Sequence, residues 1–164
     1  MLELGELPIL KHLILNNNNI GDEGLEGISM LCFSKLTRLN LGGNGIGRLG
    51  CVVIANLLRS DEASLVELIL SFNAIDDECA EILVTSLSHN TNLEELHLNG
   101  NDNISCVGWE SFRRLVCDTT SLSATHKSNH ILRDILFPYT PHTQPIIQQL
   151  ERALGDNDYV RDRR

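Results

Sequence analysis

The stretch Leu65-Val66-Glu67-Leu68-Ile69-Leu70-Ser71-Phe72-Asn73-Ala74-Ile75 reads Leu-x-x-Leu-x-Leu-x-x-Asn-x-Ile, and it occurs more than once. The same pattern runs through Leu10, Leu13, Leu15, Asn18 and Ile20, and again through Leu36, Leu39, Leu41, Asn44 and Ile46. A fourth copy, Leu93, Leu96, Leu98 and Asn101, reaches its Ile104 one residue late; the steps between the Asn positions are 26, 29 and 28 residues. Leu-x-Leu alternation is the period of a strand with one buried face. After each Asn the period lengthens to that of a helix. Leu25, Ile28, Leu31 and Cys32 make one such stripe, followed by Ile54, Leu57 and Leu58, then Ala80, Leu83 and Leu87, then Phe112, Leu115 and Val116. Asp22, Asp76 and Ser105 stand at the helix starts and suit N-capping. A strand followed by a helix, repeated, predicts parallel strands joined by right-handed crossovers. No single unit buries its apolar side alone, so stacking must build the core. Asn18, Asn44, Asn73 and Asn101 fall where the chain leaves each strand, and their amides suit the turn backbone there. They are expected to form a structural ladder and to play no catalytic part.

These residues resemble the leucine-rich repeat family, whose pattern is L-x-x-L-x-L-x-x-N-x-L. The unit length, with a Gly and then a helix in each second half, resembles its ribonuclease-inhibitor-like class. Gly24, Gly50 and Gly108 match that Gly, whereas the third repeat carries Cys79 there. The resemblance covers roughly Leu10 to Leu132 and implies an α/β right-handed solenoid, a short horseshoe with a parallel concave sheet and convex helices. It further implies that residues between the strand leucines point out of the concave face.

The expected division is a solenoid over residues 1–132 and a tail over 133–164. A fifth unit begins at Leu122 and decays, with Thr125, Lys127 and His130 where Leu, Leu and Asn belong. Residues Met1 to Pro8 are too short for a preceding repeat, so a short shielding segment or a longer parent array are both open. Phe137 to Pro145 reads as an extended, proline-containing connector. Ile146, Ile147, Leu150 and Leu154 form a helical stripe that either lids the last repeat or docks another chain.

The 164 residues carry 13 Lys and Arg against 22 Asp and Glu, a formal charge of −9, with 42% apolar residues. That balance argues against nucleic-acid binding, and no apolar run approaches membrane-spanning length. Glu3 and Glu6 stand where a secretory signal would be basic, so a cytoplasmic location is expected. The five cysteines are odd in number with no C-x-x-C pair, which reads as reduced thiols, four of them on or beside buried helix faces. No phosphate-binding loop, H-E-x-x-H or G-x-S-x-G occurs, so no catalysis, cofactor or small-molecule substrate is expected.

Protein binding is the expected function, through His12, Ile14, Arg38, Asn40, Glu67, Ile69, Phe72, Glu95 and His97 on the concave face. Ile14, Ile69 and Phe72 are apolar where a solvated sheet would be polar, an expected contact patch. Residues 61–110 hold eleven acids and no Lys or Arg, which reads first as a solvated, solubilising face, with a landing surface for a basic partner as the alternative. His97 and His126 share a repeat position and would lie side by side if the fifth strand formed at Leu122. Ile14, Asn40 and Ile69 complete that column without a further ligand, so no metal is expected. Two alternatives from other classes are an enzyme regulator, either an inhibitor or a GTPase-activating protein of the same class, and a structural fragment of a larger receptor or scaffold.

Overall fold

In the computed structural model, the described residues are 10–29, 35–60, 63–116, 129, 131–136 and 143–154. Strands β1 (His12–Ile14), β2 (Arg38–Asn40), β3 (Glu67–Ile69), β4 (Glu95–His97) and β5 (Asp134–Leu136) form one parallel sheet in chain order. Between and after them come α1 (Gly21–Ser29), α2 (Arg48–Arg59), α3 (Asp77–Leu87), α4 (Cys106–Val116) and α5 (Gln144–Ala153). Each helix packs on the next, α1 on α2 through α4 on α5. Equivalent positions pair across every strand boundary, as in Leu13 with Leu39, Leu39 with Leu68 and Leu68 with Leu96. The fold is an α/β leucine-rich-repeat solenoid.

The pattern leucines and isoleucines are the core. Leu39, Leu41, Leu68, Leu70, Leu96 and Leu98 are buried against Ile54, Leu58, Leu83, Leu87 and Phe112 from the helices. Trp109 and Phe112 supply the large aromatic volume, their rings 5.6 Å apart at a tilt. The ladder of Asn amides ties neighbouring turns. Asn44 Oδ1 accepts from the backbone N–H of Asn18 and of Ile20 in the preceding unit, while its Nδ2 donates to Leu15 and Leu41 carbonyls. Asn73 and Asn101 repeat this arrangement on the units before them. Asn18 is exposed, and among the described residues its amide donates within its own turn, to Leu15 and Asn16 carbonyls.

A second Asn pair, not anticipated from the repeats, serves the opposite turns. Asn90 Nδ2 donates to the Leu58 carbonyl at the end of α2, and its Oδ1 accepts from Asn92 and Leu93 N–H. Asn129 does the same for Leu87, Ile131 and Leu132. Asn-x-x-Leu-x-x-Leu over 90–96 thus returns as Asn-x-x-Leu-x-x-Ile over 129–135, which sets the register of β5. The fifth unit therefore starts its strand from Leu132 and not from Leu122, and β5 lies in the sheet beyond the expected boundary at 132. Thr125, Lys127 and His130 lie outside the described residues. In α5, Ile147 and Leu150 are buried, and Ile146 and Leu154 also pack on the core, so this apolar stripe covers the last repeat.

The helix caps differ from expectation in one respect. Asp76 caps its own helix, accepting from Cys79 N–H at 3.0 Å, and that bond holds its carboxyl below the usual range. Ser105 Oγ accepts from Val107 N–H at the start of α4. Asp22, however, lies inside α1 and reaches forward: its carboxylate accepts from Gly47 and Leu49 N–H at the start of α2. Asp77 likewise reaches α4, taking Ser105 N–H, Ser105 Oγ and Gly108 N–H. In the second repeat the same position, four residues past the Asn, is Arg48, which instead pairs with Glu78. A Cβ at Gly50 would come 2.7 Å from Asp22 Oδ1, and one at Gly108 2.5 Å from Asp77 Oδ1. A Cβ at Gly24 would meet Ile20 Cγ2, at 2.7 Å, rather than a carboxylate, and at position 79 the preceding unit supplies Arg48 where the units before Gly50 and Gly108 supply Asp.

Candidate functional site

The sheet face turned away from the helices carries two rows of side chains, fixed by the parallel register. One row runs His12, Arg38, Glu67, Glu95, Asp134; the other runs Ile14, Asn40, Ile69, His97, Leu136. The neighbour of His97 on β5 is Leu136, so the expected His97–His126 pair is not formed in that register; His126 lies outside the described residues. The acidic run is longer than the sequence reading made it, because β5 adds Asp134 beside Glu95. That third carboxylate was missed when the fifth unit was started ten residues early.

Within the first row, Arg38 Nε lies 3.2 Å from Glu67 Oε2. The other oxygen of Glu67 faces His97, whose Nε2 is 4.0 Å from Glu67 Oε1 and 3.6 Å from Glu95 Oε2. These separations exceed hydrogen-bond length. The imidazole is flanked by Ile69 and Leu136, leaving its side chain 14% exposed. Its Nε2 is shut off from solvent and has no hydrogen-bond partner. Asn40 is occupied locally, its Oδ1 accepting from Gly42 N–H. Ile14 is exposed on β1 and stands two strands from half-buried Ile69, with Asn40 between, so these two residues do not adjoin.

Past the strands, Asn17, Gly43, Phe72 and Gly100 occupy one column, and all four adopt left-handed backbone, with φ between 56° and 74°. Gly fits this conformation freely, and Asn tolerates it, but an aromatic residue is strained there. Phe72 is nevertheless 68% exposed. Its ring lies over Gly100, where any Cβ would collide with it. Asn17 stands over Gly43 in the same manner. This strain was invisible in the sequence, although the repeat alignment places Phe72 in a column otherwise made of Asn and Gly.

Of the described cysteines, Cys51 and Cys79 are buried and Cys106 is exposed, the last against expectation; none forms a disulfide. Cys51 hydrogen-bonds Cys79, and that bond together with burial pushes its thiol far above the ordinary range. Among the described residues, no helix is long and apolar enough to cross a membrane.

The leucine-rich repeat model matches residues 7–29, 34–55, 63–81 and 89–112, more than half of the chain. No curated protein matches it in sequence. Among solved structures, the tropomodulin C-terminal domain of Caenorhabditis elegans superposes with a TM-score of 0.66 at 13% identity, covering 93% of this chain and 89% of that one. A structure titled Leiomodin-1 actin-binding site 2 gives 0.64 at 14% identity, covering 94% and 86%. At such identities the likeness is one of fold. With the repeat pattern matched four times and its leucines, isoleucines and Asn amides in equivalent places, the chain belongs to the leucine-rich repeat family.

Proposed function

We propose that this chain is a protein-binding module of the ribonuclease-inhibitor-like class, acting in the cytoplasm through the concave, outward face of its sheet and without catalysis of its own. Its partner presents a basic surface with an apolar anchor. The observation that carries this reading is Phe72, an exposed aromatic ring kept in strained left-handed backbone where other repeats use Gly or Asn. Backbone strain of this kind costs about 1 kcal/mol or more and collects at functional sites. Aromatic residues, Phe among them, are also enriched in protein interfaces relative to the rest of the surface. Glu67 and Glu95, cross-strand neighbours, supply the complementary charge, since like charges on neighbouring strands repel and an arriving Lys or Arg relieves them. The leiomodin structure is titled an actin-binding site, so a fold like this one serves protein binding elsewhere; no partner's identity is carried over. The odd cysteine count supports the cytoplasmic placement.

The test compares proteins retained from extract at low and high salt by the parent, Glu95→Lys, Phe72→Asn and Val107→Asn. Val107 is exposed on α4, away from the sheet face. The parent and Val107→Asn should retain the same proteins, and the two sheet-side variants should lose them. Glu95→Lys should also flatten the salt dependence. Equal retention by all four would place the contact surface elsewhere.

A further inference from the structure

We infer that Glu67, Glu95 and His97 form a binding site for a divalent transition cation, with zinc the best fit. Glu95 and His97 are two residues apart on β4 and so share a face, and Glu67 is the cross-strand neighbour of Glu95. Glu67 Oε1, Glu95 Oε2 and His97 Nε2 lie within 4.8 Å of one another. The two distances to the imidazole, 3.6 and 4.0 Å, are too long for hydrogen bonds. They are close to the edge of a tetrahedron of zinc ligands, about 3.3 Å for metal–ligand bonds near 2.0–2.1 Å. Side-chain rotations that shorten those two edges by about 0.3 and 0.7 Å and draw the two carboxylate oxygens together would bring three donors onto one ion, leaving a fourth position for water or a donor from outside.

Two further observations point to a cation. The imidazole Nε2 is buried, lacks a hydrogen-bond partner and faces the gap between two carboxylates. Arg38 Nε lies 3.2 Å from Oε2 of Glu67, while Oε1 of Glu67 faces His97, and one guanidinium against two carboxylates leaves the cluster an excess of negative charge. The donor set selects the metal. One imidazole and two carboxylates suit zinc and its borderline neighbours, whereas calcium and magnesium favour six or more oxygens. A search along one repeat column could not find this site, because its ligands come from two columns and two strands.

The site goes beyond the proposed partner binding, and its test uses metal alone, so either can fail without the other. The chelator-stripped full chain is titrated with zinc by calorimetry, and with cobalt by visible absorption. The parent should take up zinc at this site, and cobalt should give the bands of a low-coordinate nitrogen–oxygen site. His97→Ala and the isosteric Glu95→Gln should each weaken that binding by roughly tenfold or more, while His12→Ala leaves it unchanged. Folding of each variant is checked by circular dichroism. Parent-like zinc binding by folded Glu95→Gln or His97→Ala, absence of binding by the parent, or cobalt–thiolate bands indicating a cysteine site would overturn the assignment.

Discussion

Asn44 spends its whole amide on backbone, accepting two N–H groups from the preceding turn and donating to carbonyls of both units. Removing a buried partner leaves those groups unsatisfied, so Asn44→Ala should cost about 1–3 kcal/mol. Asn18 has the same place in its repeat, but its side-chain bonds are local and exposed. Asn18→Ala should therefore cost clearly less, and equal losses in denaturant unfolding would contradict this account of the ladder. These Asn residues were legible because four copies align. Asn90 and Asn129 were not, because their pairing with helix ends is seen only once the turns are folded. Phe72 shows the same limit: its column was legible, but its left-handed backbone was not.

At the scale of elements, the forward-reaching carboxylates join a helix to its successor. Asp77→Ala should destabilise the chain by about 1–2 kcal/mol through the start of α4. Replacing Arg48 by Asp would offer α3 the same service, yet would set a carboxylate against Cys79. The double variant Arg48→Asp/Cys79→Gly should thus melt higher than Arg48→Asp alone. If the second substitution makes no difference to the melting temperature, the Gly requirement has some other cause. From sequence alone Asp22 read as the cap of its own helix, since spacing identifies a capping residue type without saying which N–H groups it meets. The Cys79 exception was visible there, whereas its pairing with Arg48 in the preceding repeat needed the packing of α2 on α3.

At the scale of the molecule, the parallel order of strands and helices followed directly from the change of period at each Asn. The fifth unit did not, because its ladder position has no Asn and its anchor is Asn129 at the other turn. That misplacement also hid Asp134 and suggested a histidine pair in place of the Glu67–Glu95–His97 cluster. Acid should unfold the molecule partly through Asp76 and Glu110. Glu110 is held below its usual range by hydrogen bonds from Arg113 and Arg114, and Asp76 by the Cys79 N–H. A carboxylate with a lowered folded pKa stabilises above its unfolded value and loses that contribution as pH falls through the folded one. Their share should therefore be intact near neutrality and disappear below about pH 4. Melting curves of Glu110→Gln should show a shallower acid decline than the parent, and an unchanged decline would remove Glu110 from the explanation.

The matched Asp and Gly positions act as a joining rule between repeats, much as the ends of dominoes must agree. The units carrying Asp four residues past their Asn, at Asp22 and Asp77, are followed by Gly at the facing position, whereas the unit carrying Arg48 is followed by Cys79. Duplicating the third repeat behind itself would set Asp77 of the first copy against Cys79 of the second, and one of the two side chains would have to shift. Duplicating the second would instead set Arg48 against Gly50 without conflict. Lengthening this array by duplication should thus cost more at one boundary than at the other.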